Sequence, residues 1–179
     1  MSIAIYPGTF DPLTLGHLYV IRRASVIFDK VVVGLLNNSA KNPLFSVEER
    51  MNMIKEVTSD IPNIEIIPFN GLLMHFAIEQ KANVILRGIR TGGEFEYELM
   101  NAHANKKIAP EVDTLFFPCD INYSCVSSSM VRDVAAYGGE IRDFVPESIA
   151  EKLYQKLKEK GLNKVNRTIY QGLHRPQGS

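Results

Sequence analysis

The stretch Tyr6-Pro7-Gly8-Thr9-Phe10-Asp11-Pro12-Leu13-Thr14-Leu15-Gly16-His17 carries the densest chemistry of the chain. Gly8 and Gly16 permit a phosphate to approach the backbone closely, and Thr9 and His17 offer side-chain hydrogen bonds. Placed at a helix start, His17 would share its position with unpaired N–H groups and the positive end of the helix dipole. Such a position holds phosphate. The stretch follows neither G-x-x-x-x-G-K-[ST] nor G-x-G-x-x-G. Further groups of the same kind follow: Lys41, then Arg87 and Arg90, then Ser127-Ser128-Ser129.

Those groups acquire meaning from the elements between them. Ile3-Ala4-Ile5 with Tyr6 reads as a buried strand, and Leu18, Ile21, Ala24, Ile27 and Phe28 recur at helical spacing. Lys30–Leu36 is nearly all apolar, as a strand covered on both faces must be. Ser46-Val47-Glu48-Glu49 has the capping-box form and opens a helix. A third strand is expected at Ile64–Phe69, a helix through Leu72–Gln80, and a short fourth strand at Val84–Leu86. A long polar-faced helix runs through Glu98 to about Lys107, a fifth strand covers Thr114–Phe117, and a helix starts near Ser128. Pro146 suits the first turn of a last helix, which ends at Gly161.

Strand and helix alternate, which predicts an α/β fold: a doubly wound five-stranded parallel sheet with helices on both faces and a C-terminal helix. In such a sheet, ligands sit outside the carboxyl ends of the strands. Each of the candidate groups follows a strand, so all of them are expected along one edge. Periodicity stops near Leu162, so a single domain over 1–162 and a disordered tail over 163–179 are expected.

Twenty basic and twenty acidic residues cancel, so no global field draws nucleic acid or a membrane surface. Any phosphate site must be local. No apolar run approaches the ~18 residues of a membrane span. The opening strand pattern is unlike a signal peptide, and Cys119 and Cys125 suit neither a disulfide framework nor a zinc site. A cytoplasmic location with reduced thiols is expected.

The motifs together resemble the nucleotidyltransferase superfamily in its T-x-G-H form, Thr14-Leu15-Gly16-His17. Within it, the bacterial phosphopantetheine adenylyltransferase family matches best. The resemblance runs from Ile3 to about Lys160. It rests on Tyr6–His17, Lys41-Asn42-Pro43-Leu44-Phe45 with Glu48-Glu49-Arg50, Arg87-Gly88-Ile89-Arg90, Phe95-Glu96-Tyr97-Glu98 and Val126-Ser127-Ser128-Ser129.

The resemblance implies a Rossmann-like fold and transfer of the adenylyl group of ATP to 4'-phosphopantetheine. It implies magnesium accompanying the ATP, a homohexamer, and feedback binding of coenzyme A in the same cleft. His17 and Lys41 would be catalytic. ATP would be bound by Thr9, Phe10, His17, Gly88, Ile89, Arg90, Glu98, Tyr123, Ser124, Cys125, Val126 and Ser127–Ser129. Phosphopantetheine would be bound by Thr9, Lys41, Leu73 and Arg87. No protein ligand set for a metal is expected. His75, His103 and His174 read as structural or surface residues. Thr91-Gly92-Gly93 is richer in glycine than in some relatives, and a more mobile loop is expected there. Two alternatives stand: another small-molecule nucleotidyltransferase, and a non-catalytic nucleotide-binding module.

Overall fold

A computed structural model describes residues 1–37 and 42–164. Five strands form one parallel sheet: β1 (Ile3–Gly8), β2 (Lys30–Leu36), β3 (Ile64–Phe69), β4 (Val84–Ile89) and β5 (Asp113–Pro118), in spatial order β3-β2-β1-β4-β5. The helices between and after them are α1 (Leu15–Ile27), α2 (Val47–Val57), α3 (Leu73–Glu79), α4 (Gly92–Ile108), α5 (Ser128–Ala136) and α6 (Glu147–Glu159). This is the expected doubly wound architecture. Alternating residues feed separate cores. Ala4, Tyr6, Val31, Val33, Leu35 and Leu86 face α1, α2, α5 and α6. Ile3, Ile5, Val32 and Ile85 face Met74, Phe76 and Ala77 of α3. Burial on both faces is why β1 and β2 lack a polar alternation.

The strand order reverses between β1 and β4, which makes that boundary the switch point of the sheet. β1 pairs with β2 from Ile3–Lys30 through Gly8–Leu35, but with β4 at Ala4–Val84 and Ile5–Ile85. The two central strands therefore part toward their carboxyl ends and leave room between Tyr6–Gly8 and Arg87–Ile89.

Four expectations are corrected. β4 runs on to Ile89, because it pairs with β5 as far as Ile89–Pro118. Arg87 thus sits on a strand, not in a loop. Gly92 and Gly93 are the first turn of α4, capped by the Thr91 hydroxyl accepting from the Glu94 N–H, so the loop expected there is helix. Pro146 is the cap residue preceding α6 and not part of its first turn. α4 also differs from a polar-faced helix: it buries no residue, and it exposes Phe95, Tyr97, Met100 and Ile108. No helix among the described residues is long and apolar enough to cross a membrane.

Candidate active site

The opening between β1 and β4 is a cavity of about 540 Å³. Its wall includes Tyr6, Pro7 and Gly8 of β1, Gly16 and His17 of α1, and Arg87 and Gly88 of β4. Arg90, Glu94 and Glu98 close a second side, and Val126, Ser127 and Ser128 close a third.

His17 is set by the cap of its own helix. Thr14 is the cap residue: its hydroxyl accepts from the His17 N–H at 3.3 Å. His17 takes the place that Glu or Gln holds in a capping box, its Nδ1 accepting from the Thr14 N–H at 3.1 Å. With Nδ1 occupied as an acceptor, the proton of the neutral ring resides on Nε2, the donor left for the cavity. Burial, and then the Arg90 cation, lower the His17 pKa from 6.5 to about 4. An unfolded chain takes up this proton near 6.5 while the folded one resists until about 4. Folding stability is therefore expected to decline as pH falls through that window. Denaturant melts at about pH 7 and about pH 5 should show the decline, and His17→Asn should flatten it. An unchanged slope in the variant would remove His17 as its cause.

The two arginines arrive already engaged. Arg87 Nε donates to Glu98 Oε2 at 2.7 Å and its Nη2 contacts Oε1, a bidentate pair. Arg90 pairs in the same way with Glu94, whose Oε2 also accepts the Arg90 backbone N–H at 3.0 Å. Burial alone would raise the Glu94 pKa, but the Arg90 side chain and N–H outweigh it and hold the carboxyl below its usual range. Arg90 Nη1 also donates to the Val126 carbonyl at 2.6 Å. One guanidinium thus joins the start of α4 to the segment that opens α5. The carboxylates at 94 and 98 lie one helical turn apart, which is how a single helix holds both arginines of β4 and its exit.

The serines are less free than their hydroxyls suggest. Ser127 caps α5, accepting from the Met130 N–H at 3.1 Å, and Ser128 Oγ donates to the Pro12 carbonyl at 2.8 Å. Ser129 is exposed. What this end of α5 offers a phosphate is its first unpaired N–H groups.

Other expected residues fall elsewhere. Lys41 lies outside the described residues, as do His174 and the tail from 165. Phe10 is a core residue, 3% exposed, with its ring edge-on to those of Tyr6 and His17. A Cβ on Gly8 would come within 2.7 Å of that ring, so glycine there also serves packing. Thr9, Ile89, Ser124 and Cys125 do not line the cavity. Tyr123 packs against Gly16, where an added Cβ would meet its own Cβ at 3.4 Å. Leu73 borders a smaller cavity of about 180 Å³, whose wall shares Arg87 and Glu98 with the first. His75 and His103 are exposed.

Two buried ionic residues hold the loops and were not among the expected site residues. Asp11, 4% exposed, accepts from Leu44 N–H at 2.8 Å and Phe45 N–H at 2.9 Å, and pairs with Arg132 of α5 at 3.3 Å. Arg50, 1% exposed, donates to the carbonyls of Thr9 at 2.7 Å, Phe45 at 3.2 Å and Leu36 at 3.3 Å. Together they pin the loops leaving β1 and β2. The available signals were an Asp inside a loop between apolar residues, and an Arg in the first turn of an apolar-faced helix.

A parallel sheet whose switch point opens onto a cleft lined by His17, Arg87 and Arg90 defines a Rossmann-like domain. The cytidylyltransferase-like family model matches residues 5–134. A phosphopantetheine adenylyltransferase of Lachnoclostridium phytofermentans is 50% identical over 156 residues, covering 87% of this chain and 96% of the relative. Another, from Caldanaerobacter subterraneus subsp. tengcongensis, is 46% identical and covers 89% and 99%. A solved structure from Vibrio parahaemolyticus, provisionally named a nicotinate-nucleotide adenylyltransferase, superposes with TM-score 0.63 at 19% identity over 91% of this chain and 96% of its own. That last likeness concerns the fold alone. The chain belongs to the cytidylyltransferase-like family and, within it, to the phosphopantetheine adenylyltransferases.

Proposed function

We propose that the chain transfers the adenylyl group of ATP to 4'-phosphopantetheine, giving 3'-dephospho-coenzyme A and pyrophosphate, a step of coenzyme A biosynthesis. The observation that carries the reading is the convergence of His17, Arg87, Arg90 and the start of α5 on one cavity at the switch point. The acceptor is a phosphate monoester with a second pKa of about 6. At neutral pH it is largely a dianion and a nucleophile without help from a base. The work left to the protein is to neutralise and align two anions for in-line displacement, with no covalent intermediate.

In this scheme the neutral His17 donates from Nε2 to the α-phosphate, and Lys41 steadies the incoming phosphate. Arg90, Ser127, Ser128 and Ser129 at the head of α5 take the β- and γ-phosphates. Backbone groups at Phe10, Gly88, Ile89 and Ser124–Val126, with Tyr123 and Glu98, surround the nucleoside. Magnesium enters on the triphosphate as part of the substrate. The cleft's carboxylates Glu94 and Glu98 are engaged by arginines, while the side chains of Arg87, Arg90 and His17 on its wall suit phosphate oxygens. The exposed apolar residues of α4, with Leu115 on the edge strand β5, support assembly of several copies, a homohexamer in this reading. The working unit spans 1–162 and acts in the cytoplasm, where coenzyme A, sharing the pantetheine arm, competes for the cleft.

Pyrophosphate release from ATP, measured with 4'-phosphopantetheine and with other phosphate acceptors, tests the reading. Release is expected with phosphopantetheine. Release only with another acceptor, or with none, overturns it.

Arg87 would meet the acceptor's phosphate together with Thr9, while Leu73 borders the space for the pantetheine arm. Arg87→Lys replaces a two-pronged donor by a point charge. The expected result is a rise of about tenfold in KM for phosphopantetheine with KM for ATP little changed. An unchanged KM for phosphopantetheine would take Arg87 out of that role.

A further inference from the structure

Tyr6 is the first residue of β1 beyond its pairing with β4, and it is 6% exposed. Its ring packs at 5.5 Å from that of Phe10 and 6.4 Å from that of His17. A phenylalanine would pack there equally well, so the ring does not account for the hydroxyl. The hydroxyl reaches the floor of the cavity beside Gly88: a Cβ built on Gly88 would lie 3.5 Å from Tyr6 Oη and 3.3 Å from Cys119 Sγ. Tyr6 lines the cavity. The ring is buried but its hydroxyl opens to the cavity: among the described residues, the fully buried side-chain polar atom without a partner is Arg50 Nη2. Tyr6 Oη has no hydrogen-bond partner among the described residues, while Arg87 is paired with Glu98 and Arg90 with Glu94 and the Val126 carbonyl.

The surroundings decide what partner is missing. The neighbouring groups are the Arg87 and Arg90 cations and the His17 ring, whose free nitrogen is a donor. The carboxylates that could accept from Tyr6 are held by the arginines. Among the described residues no protein group accepts from the hydroxyl, and beside two cations the acceptor that suits it is an anionic oxygen of a ligand. We propose that Tyr6 is a further ligand-binding residue of this cleft, its hydroxyl donating a hydrogen bond to a phosphate oxygen of the bound nucleotide. Burial first, and then the neighbouring Cys119, raise the phenol's pKa above its usual value. The group stays protonated and acts as a donor, not as a base. Gly88 belongs to the same arrangement, because an added Cβ there would crowd Cys119 Sγ, Val20 and the hydroxyl itself.

The inference rests on the nucleotide reading of the site, and its test separates the two. Tyr6→Phe removes one oxygen and keeps the ring. Titration calorimetry with ATP is expected to show affinity weakened by about tenfold or more. The melting temperature of the unliganded variant is expected to stay level, because the hydroxyl has no partner within the described fold to lose. ATP affinity within about twofold of the parent overturns the inference. So does a weakened affinity accompanied by a lower melting temperature, since the hydroxyl would then be supporting the fold. A parent chain that binds ATP but releases no pyrophosphate with phosphopantetheine would defeat the proposed reaction while leaving the Tyr6 comparison intact.

Discussion

His17→Ala is expected to lower kcat by about a hundredfold or more, with ATP affinity changed by no more than about threefold. The argument starts from the tautomer. A donor already aimed by its own helix cap needs no reorganisation when charge builds on the α-phosphate, so its contribution belongs to the transition state more than to the bound substrate. Removing the ring also orphans the Thr14 N–H, at a cost of about 1 kcal/mol to the cap. Steady-state turnover and ATP affinity should therefore be measured beside a thermal melt. Equal losses in turnover and in affinity would reduce His17 to a binding residue. A melt shifted far beyond the cap's share would mean that activity was lost through the fold.

Asp11→Ala is expected to destabilise the chain by about 3 kcal/mol, the sum of two buried N–H groups left without acceptors. For a chain of this length, that corresponds to a melting temperature lower by about 6–12 °C. The carboxylate joins the loop after β1 to Leu44 and Phe45 and to Arg132 of α5, three segments far apart in sequence. Its loss should also loosen the cavity wall, raising KM for both substrates together. A loss below about 1 kcal/mol would show that other groups take over its hydrogen bonds. Arg132 is partly exposed, so its unpaired charge is discounted for solvent.

The fold was legible because its signals are local. The apolar runs of β1 and β2, and the capping box at Ser46–Glu49, report their own environment residue by residue. The length of β4 was not, because Arg87, Gly88 and Ile89 are strand only by pairing with Phe116, Phe117 and Pro118. The site was half legible. His17, Arg87, Arg90, Ser127 and Ser128 do meet at one opening, as expected from chemistry placed after each strand. The fates of their donors were not readable, since the Val126 carbonyl that holds Arg90 is 36 residues away. Asp11 and Arg50 escaped for the same reason. Each looks like surface charge until the loops it fastens are seen to close over it. Phe10 shows the opposite case, because a side chain inside a phosphate-like motif can serve the core.

In α1 the side chain that closes the opening turn is also one that lines the cavity. Fastener and tool are a single imidazole. If that turn frays, the ring loses its aim even while the sheet beneath stands intact. With His17 in its proposed role, a loosened helix end would cost turnover before it cost the fold.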